Sequence, residues 1–230
     1  MAIKIKSTKD VAVDGVKMVI YGESGAGKTS LAKTLEKVII LSSEHGLLSL
    51  QDFDIPYIET NTLQEVDDAY NYLSKDKEFE TIFIDSATEI AETVLTNHKS
   101  DPTIKDARQA YGKLADSMGS MIRNFRDIKG KNVVMISKLK RVEDESTGIV
   151  TYTPWMPGKV LPHGLPYLVD EVFAMQIDVK GNRYLQTSAD RRYPCKDRSG
   201  RLDAKEQPNL AAIFEKIKSK PNFSDKKEII

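Results

Sequence analysis

Eight consecutive residues, Gly22-Glu23-Ser24-Gly25-Ala26-Gly27-Lys28-Thr29, have the spacing G-x-x-x-x-G-K-[ST]. That spacing suits a loop that wraps phosphate. Glycines let the backbone turn its N–H groups inward, and a following helix start adds partial positive charge. Lys28 is placed to reach β- and γ-phosphates, and the Thr29 hydroxyl to ligate Mg²⁺. The candidate nucleotide-binding set is Gly22, Glu23, Ser24, Gly25, Ala26, Gly27, Lys28, Thr29 and Ser30. The expected ligands are ATP and Mg²⁺.

Three apolar runs end in residues that carry polar chemistry. Asp85 closes Ile82-Phe83-Ile84, the pattern of a carboxylate that holds Mg²⁺ through water. Glu44 follows Val38-Ile39-Ile40-Leu41 and reads as the base that polarises the attacking water, or as a solvated loop acid. The position directly after Asp85 is Ser86, so no glutamate stands there. Ser137 and Lys138 follow Val133–Ile136 and read as a γ-phosphate sensor or as a plain surface turn.

The elements that must position these groups follow from periodicity. Met18–Tyr21 feeds the glycine-rich loop, and Ser30–Leu35 is expected to continue it as a helix. Apolar runs at 38–41, 82–84 and 133–136 are strands buried on both faces. Helices are expected over about 63–74 and 87–97. A long amphipathic helix carries Ala107, Ala110, Tyr111, Leu114, Met118, Met121, Ile122, Phe125 and Ile128 at a period near 3.6. Lys180-Gly181-Asn182 joins two strands, about 170–178 and 182–188, as a hairpin. A last helix opens at Pro208–Leu210 with Asn209 as its N-cap.

The fold class expected is α/β: a mainly parallel central sheet flanked by helices, with a C-terminal antiparallel hairpin. Ligands in such sheets sit beyond the carboxyl ends of the strands, where the loop, Glu44, Asp85 and Ser137 all fall. The expected organisation is a lead-in over 1–16, an ATPase core over 17–218 and a polar tail over 219–230. Lys+Arg and Asp+Glu both number 34 in 230 residues, which excludes a globally basic nucleic-acid binder but not a local basic surface. Cys195 is the single cysteine, so no internal disulfide forms and a reducing compartment is expected. The start lacks a signal-peptide segment and no run suits a bilayer, so the expectation is a cytoplasmic protein without membrane contact. The histidines and Cys195 show no zinc-site spacing.

The motifs resemble those of the RecA/DnaB-type core ATPases, and most of all the short phage-encoded RecA-like proteins grouped as Sak-type single-strand annealing recombinases. The likeness runs over about residues 17–203. It rests on the phosphate loop, Ser43-Glu44-His45-Gly46, Ile84-Asp85-Ser86, Gln109-Ala110-Tyr111-Gly112, and the run from Arg183 through Cys195-Lys196-Asp197-Arg198-Ser199-Gly200-Arg201-Leu202. In AAA-type ATPases the water-activating glutamate lies beside the strand-ending aspartate; in the RecA type it follows the second strand, where Glu44 stands. The resemblance implies ATP bound between subunits of a homo-oligomer, with Lys196 and Arg198 acting on a neighbour's γ-phosphate. It implies single-stranded DNA as a partner, a single-strand binding protein as a possible second one, and host cytoplasm as the location. Full-length RecA has an N-terminal polymerisation helix and a C-terminal DNA-gathering domain without counterpart here, so annealing rather than strand exchange is the expectation.

Two segments are candidates for DNA contact: 97–108, with Lys99, Lys105 and Arg108, and 139–163, with Lys140, Arg141, Trp155 and Lys159. Trp155 between Pro154 and Met156-Pro157 suits an exposed, stiff loop, although Thr151–Trp155 equally suits a β-hairpin. Glu143, Asp144 and Glu145 in the same stretch oppose phosphate. The alternative function is a nucleotide-gated assembly or regulatory ATPase that binds no DNA.

Overall fold

A strand that is apolar at every position needs cover on both faces, and the chain supplies it in two layers. The computed structural model describes residues 14–44 and 46–219; the lead-in up to residue 13, His45 and the tail from 220 lie outside them. The strands are β1 (Lys17–Gly22), β2 (Val38–Ser42), β3 (Tyr57–Glu59), β4 (Thr81–Asp85), β5 (Asn132–Glu143), β6 (Val150–Trp155), β7 (Glu171–Ile177), β8 (Arg183–Gln186), β9 (Lys196–Asp197) and β10 (Lys205–Glu206). The α-helices are α1 (Leu63–Leu73), α2 (Ala87–Ser100), α3 (Ala107–Arg126), α4 (Val160–Leu168) and α5 (Leu210–Lys218).

The strands form one sheet in the order β10-β8-β7-β1-β5-β4-β2-β3, with β6 paired to β5 and β9 to β7. The run from β7 to β3 is parallel. β7 and β8 form the expected antiparallel hairpin, with Ile177 opposite Arg183. Alternation splits the strand residues between two cores. Val19, Tyr21, Ile39, Leu41, Ile82 and Ile84 face α1–α4. Met18, Ile20, Val38, Ile40, Phe83 and Phe173 face α5 and the short segments after β1 and β2. The fold is thus the α/β arrangement that the sequence indicates. Among the described residues no helix is long and apolar enough to cross a membrane.

Helix starts follow the capping rules. Thr62 and Glu65 form a capping box on α1; Ser86, Asp106 and Asn209 accept from the backbone N–H three residues on in α2, α3 and α5.

Three parts depart from expectation. The segment after the phosphate loop is a six-residue 3₁₀ helix, Thr29–Thr34, rather than an α-helix. Only Leu35, Glu36 and Lys37 separate it from β2, which leaves no length for α-helical turns. The 139–163 stretch is no loop: β5 continues past the sheet and pairs antiparallel with β6, Lys138 opposite Trp155 and Glu143 opposite Val150. It is followed by α4, hidden in sequence by Pro162, Gly164 and Pro166 but signalled by Leu161 and Leu165, which are buried one turn apart.

At the other end of β7, Glu171 is 1% exposed. Asp197 lies beside it, its carboxylate accepting from the Ser199 hydroxyl and the N–H groups of Gly200, Arg201 and Leu202. Burial first, then the charge of Asp197, pushes the Glu171 carboxyl from 4.5 up to about 8. A raised folded-state pKa means the native protein holds this proton when the unfolded chain has lost it. That stability is complete below pH 4.5 and is lost as pH climbs towards 8. Glu171→Gln therefore melts above wild type at alkaline pH, and the gap closes or reverses in mild acid. Thermal melts across that range with parallel pH dependence for the two proteins would refute the assignment.

Candidate functional site

β1 ends at Gly22, where packing decides the residue: a Cβ would lie 2.7 Å from the Met175 carbonyl oxygen of β7. The loop then turns through Gly25 at φ +76° and Gly27 at φ +99°, backbone that side-chain-bearing residues rarely adopt. Lys28 folds back over the loop, its ammonium donating to the carbonyls of Gly22 at 2.9 Å and Glu23 at 2.8 Å. Burial pulls its pKa below the usual lysine value, against the opposing pull of Asp85, Glu44 and Glu23.

The Thr29 hydroxyl donates to Asp85 Oδ2 at 2.6 Å. β5 lies between β1 and β4, so this bond spans a strand that contributes neither partner. Asp85 is buried, and burial lifts its carboxyl to about 6, with Glu44 adding to the rise while Thr29 and Lys28 oppose it. Its Oδ1 is buried without a hydrogen-bond partner among the described residues. A hydroxyl and a carboxylate with an orphaned oxygen suit Mg²⁺, which takes few protein oxygens and completes its octahedron with water and phosphate. Thr29 and Asp85 are the residues that would hold it.

Glu44 comes to this place from the end of β2. It accepts a hydrogen bond from the Ser86 hydroxyl, the residue directly after Asp85. Ser86 also caps α2 through the Glu89 N–H, so one serine ties the acid to a helix start. Lys28, Thr29, Ser30, Glu44 and Asp85 line a single cleft of about 520 Å³. The cleft includes two cations that motif spacing does not reveal, Lys33 and Arg183. Arg183, first residue of β8, donates from Nε to the Ala26 carbonyl at 3.0 Å. Only the pairing of β7 with β1 and β8 puts it there, a fact of topology rather than of local sequence.

Ser137 has a different place from the one its strand-end position suggests. It is fully buried, donates to the Trp155 carbonyl at 3.0 Å and accepts from the Trp155 N–H at 3.0 Å. Its hydroxyl holds the β5–β6 junction and does not line the cleft. Trp155 is correspondingly half-buried in β6 rather than in a stiff exposed loop, with Lys138 5.8 Å from its ring centroid.

Lys196 and Arg198 lie far from this cleft. β9 pairs with the start of β7, Val172 opposite Lys196, whereas Arg183 pairs at the other end. Those β7 positions are roughly 17 Å apart along the strand. The Lys196 ammonium donates to the carbonyls of Pro166 and, at 2.6 Å, Val169 beyond α4. Arg198 pairs with Asp170 at 2.7 Å, well exposed.

The other basic candidates divide into two groups. Arg108 and Lys159 both line a groove of about 800 Å³ between α3 and the segment 157–161, with Tyr111 in its wall. Lys99 from α2 sits 5.3 Å from the Tyr111 ring centroid, and Lys105 precedes α3 on an exposed turn. Lys140 and Arg141 instead lie on β5, exposed, with Arg141 paired to Glu143 at 2.7 Å. The acids 143–145 sit at the hairpin tip, away from the groove end of β6.

Gly27→Ala tests the loop as built. Its φ of +99° and a new Cβ 3.0 Å from Arg183 Nε both oppose the change. The variant should lose more than about 1 kcal/mol of stability in urea unfolding. Retention of wild-type stability would show that the loop does not require this conformation.

Comparison with known families agrees with this geometry. A model described as an AAA domain matches residues 14–199, most of the chain. No curated protein matches it. The phosphate loop, the strand-ending Asp85 and the parallel sheet all fall inside the match, and the chain belongs to the AAA domain family of P-loop ATPases.

Proposed function

We propose that this domain is a Mg²⁺-dependent ATPase of RecA type that works on single-stranded DNA during strand annealing, within a homo-oligomer. The observation that carries the DNA reading is the gathering of Lys99, Arg108 and Lys159 around Tyr111. Cationic side chains beside an accessible aromatic ring are what a single strand needs: charge for its phosphates and a face for its bases. In the cleft, Lys28 neutralises phosphate charge, Thr29 and Asp85 hold the metal, and Glu44 orients and deprotonates water.

α2 supports a link between the two places. It begins at Ser86 on Glu44, holds the Trp155 carbonyl through Thr88 at 2.7 Å, and ends with Lys99 on Tyr111. A strand bound in the groove would bear on both ends of one rigid helix, and so on the acid that handles water. Single-stranded DNA should therefore raise ATP turnover, with Lys28→Ala as the blank. Glu44→Gln should retain ATP binding and lose turnover by at least about a hundredfold. Tyr111→Ala combined with Arg108→Ala should abolish the stimulation and leave DNA-free turnover in place. Stimulation surviving in that double variant would remove the groove from the reading.

In an assembly with ATP between subunits, Lys196 and Arg198, remote from their own chain's cleft, would act on a neighbour's nucleotide. Arg198 is the readier of the pair, because an exposed ion pair with Asp170 costs little to break. Lys196 would have to abandon two carbonyls. Mixing Lys28→Ala with Arg198→Ala should restore turnover that neither has alone, since each supplies what the other lacks across the interface. Absence of recovery would count against the trans role.

One observation favours a second reading, an assembly or regulatory ATPase that binds no DNA. The β5–β6 hairpin projects Glu143, Asp144 and Glu145 at its tip, a surface that repels phosphate. Salt-dependent binding of an oligonucleotide separates the two: the first requires it, and the second forbids it.

A further inference from the structure

We infer that Arg183 is the arginine that acts on the nucleotide from within the same chain, an assignment that rests on the ATPase reading above. Arg183 leaves a hairpin turn that is tightly fixed. The Asp178 carboxylate accepts from the Lys180 N–H, the Asn182 N–H and the Asn182 amide, at 2.8 to 3.0 Å. The side chain then lies along the phosphate loop. Its Nε donates to the Ala26 carbonyl, and Nε and Cδ pass so close to Gly27 that a Cβ there would meet them at 3.0 and 3.1 Å. Gly27 is thus the residue type that admits both the loop turn and the arginine.

The guanidinium lines the same cleft as Lys28, Thr29, Glu44 and Asp85. Its contact with Ala26 uses Nε, which leaves a fork of terminal nitrogens suited to phosphate oxygens. Charge argues the same way. Glu44 and Asp85 bring two carboxylates against a polyphosphate, a negative charge that Lys28 and Lys33 do not balance. In the hydrolysis, water adds to the γ-phosphorus and the bond to the β–γ bridging oxygen breaks. ADP and phosphate form, and the water proton passes to Glu44. Negative charge builds on the transferred oxygens and the bridging oxygen, and a guanidinium held over the loop offsets it.

This role is separate from the one proposed for Lys196 and Arg198: Lys196 pairs at the opposite end of β7, Arg198 follows that short strand, and neither lines its own chain's cleft. A complementation assay distinguishes the two geometries by opposite outcomes. Arg183→Ala should lower kcat by at least about a hundredfold. ATP affinity, read with a fluorescent analogue, should weaken by less than about tenfold. Arg183→Lys keeps the charge without the fork and should fall between. Mixing Arg183→Ala with Lys28→Ala should recover no turnover, because the intact arginine and the intact loop then sit on different chains. Recovery in that mixture, or an Arg183→Ala kcat within threefold of wild type in a folded variant, would overturn the assignment. Wild-type turnover no greater than that of Lys28→Ala would instead remove the ATPase reading, and this assignment with it.

Discussion

The hydrogen bond from Thr29 to Asp85 joins two strands that are not neighbours, and the site depends on it. Thr29 follows β1 and Asp85 ends β4, with β5 between them. The relative height of the two strand ends must be fixed for the hydroxyl and the carboxylate to meet. Parallel pairing ensures this: Tyr21 is level with Ser137 across one ladder, and Ile84 with Met135 across the next. A slip of one residue in either ladder would turn Asp85 to the other face of the sheet and leave Thr29 without its partner. The alternating apolar residues that fix register in the two cores therefore also fix the placing of Thr29 against Asp85.

That arrangement carries a cost that the rest of the cleft offsets. Asp85 is buried beside Glu44, and burial together with the Glu44 charge raises the proton affinity of Asp85. Lys28 and the Thr29 hydroxyl counter the effect on Asp85, and Ser86 donates to Glu44. A divalent cation on the orphaned oxygen of Asp85 would complete the balance. The site is thus under electrostatic tension that a bound cation would relieve, as expected where charge must be handled in a partly dry cleft.

Much of this was legible in the chain because it is local. The phosphate loop is a spacing, the core strands are unbroken apolar runs, and α3 is a 3.6-residue stripe; each element shows its own signal. Asn209 at the start of α5 and the 180–182 turn are likewise local chemistry. What escaped is long-range or ambiguous. α4 contains two prolines and a glycine, so composition argues against the helix that Leu161 and Leu165 anchor. β9 and β10 are two-residue strands, too short to show alternation. Trp155 satisfied both a loop and a hairpin pattern, and only the partnership of Ser137 with its backbone separates them. Arg183 opens one of the runs that carry the resemblance, yet nothing in that run puts it in the cleft: its place there exists because β7 pairs with β1, a contact across more than 150 positions.

The shortness of the segment after the loop gives that arginine its importance. A long α-helix would bring a macrodipole and a row of N–H groups to the phosphates. Here six residues of 3₁₀ helix give little aligned dipole, and the chain turns at once into β2. The positive charge that a helix would contribute must come from side chains instead. Lys28 is fixed to its own loop, and Lys33 reaches the cleft from the short segment, 5.4 Å from the Phe53 ring centroid. Arg183 comes from a different element and is anchored by a fixed turn, so its position does not depend on the short segment. A truncated helix and a cationic hairpin are in this sense one solution: what the backbone dipole no longer supplies, a strand on the far side of β7 brings to the same carbonyl-lined loop.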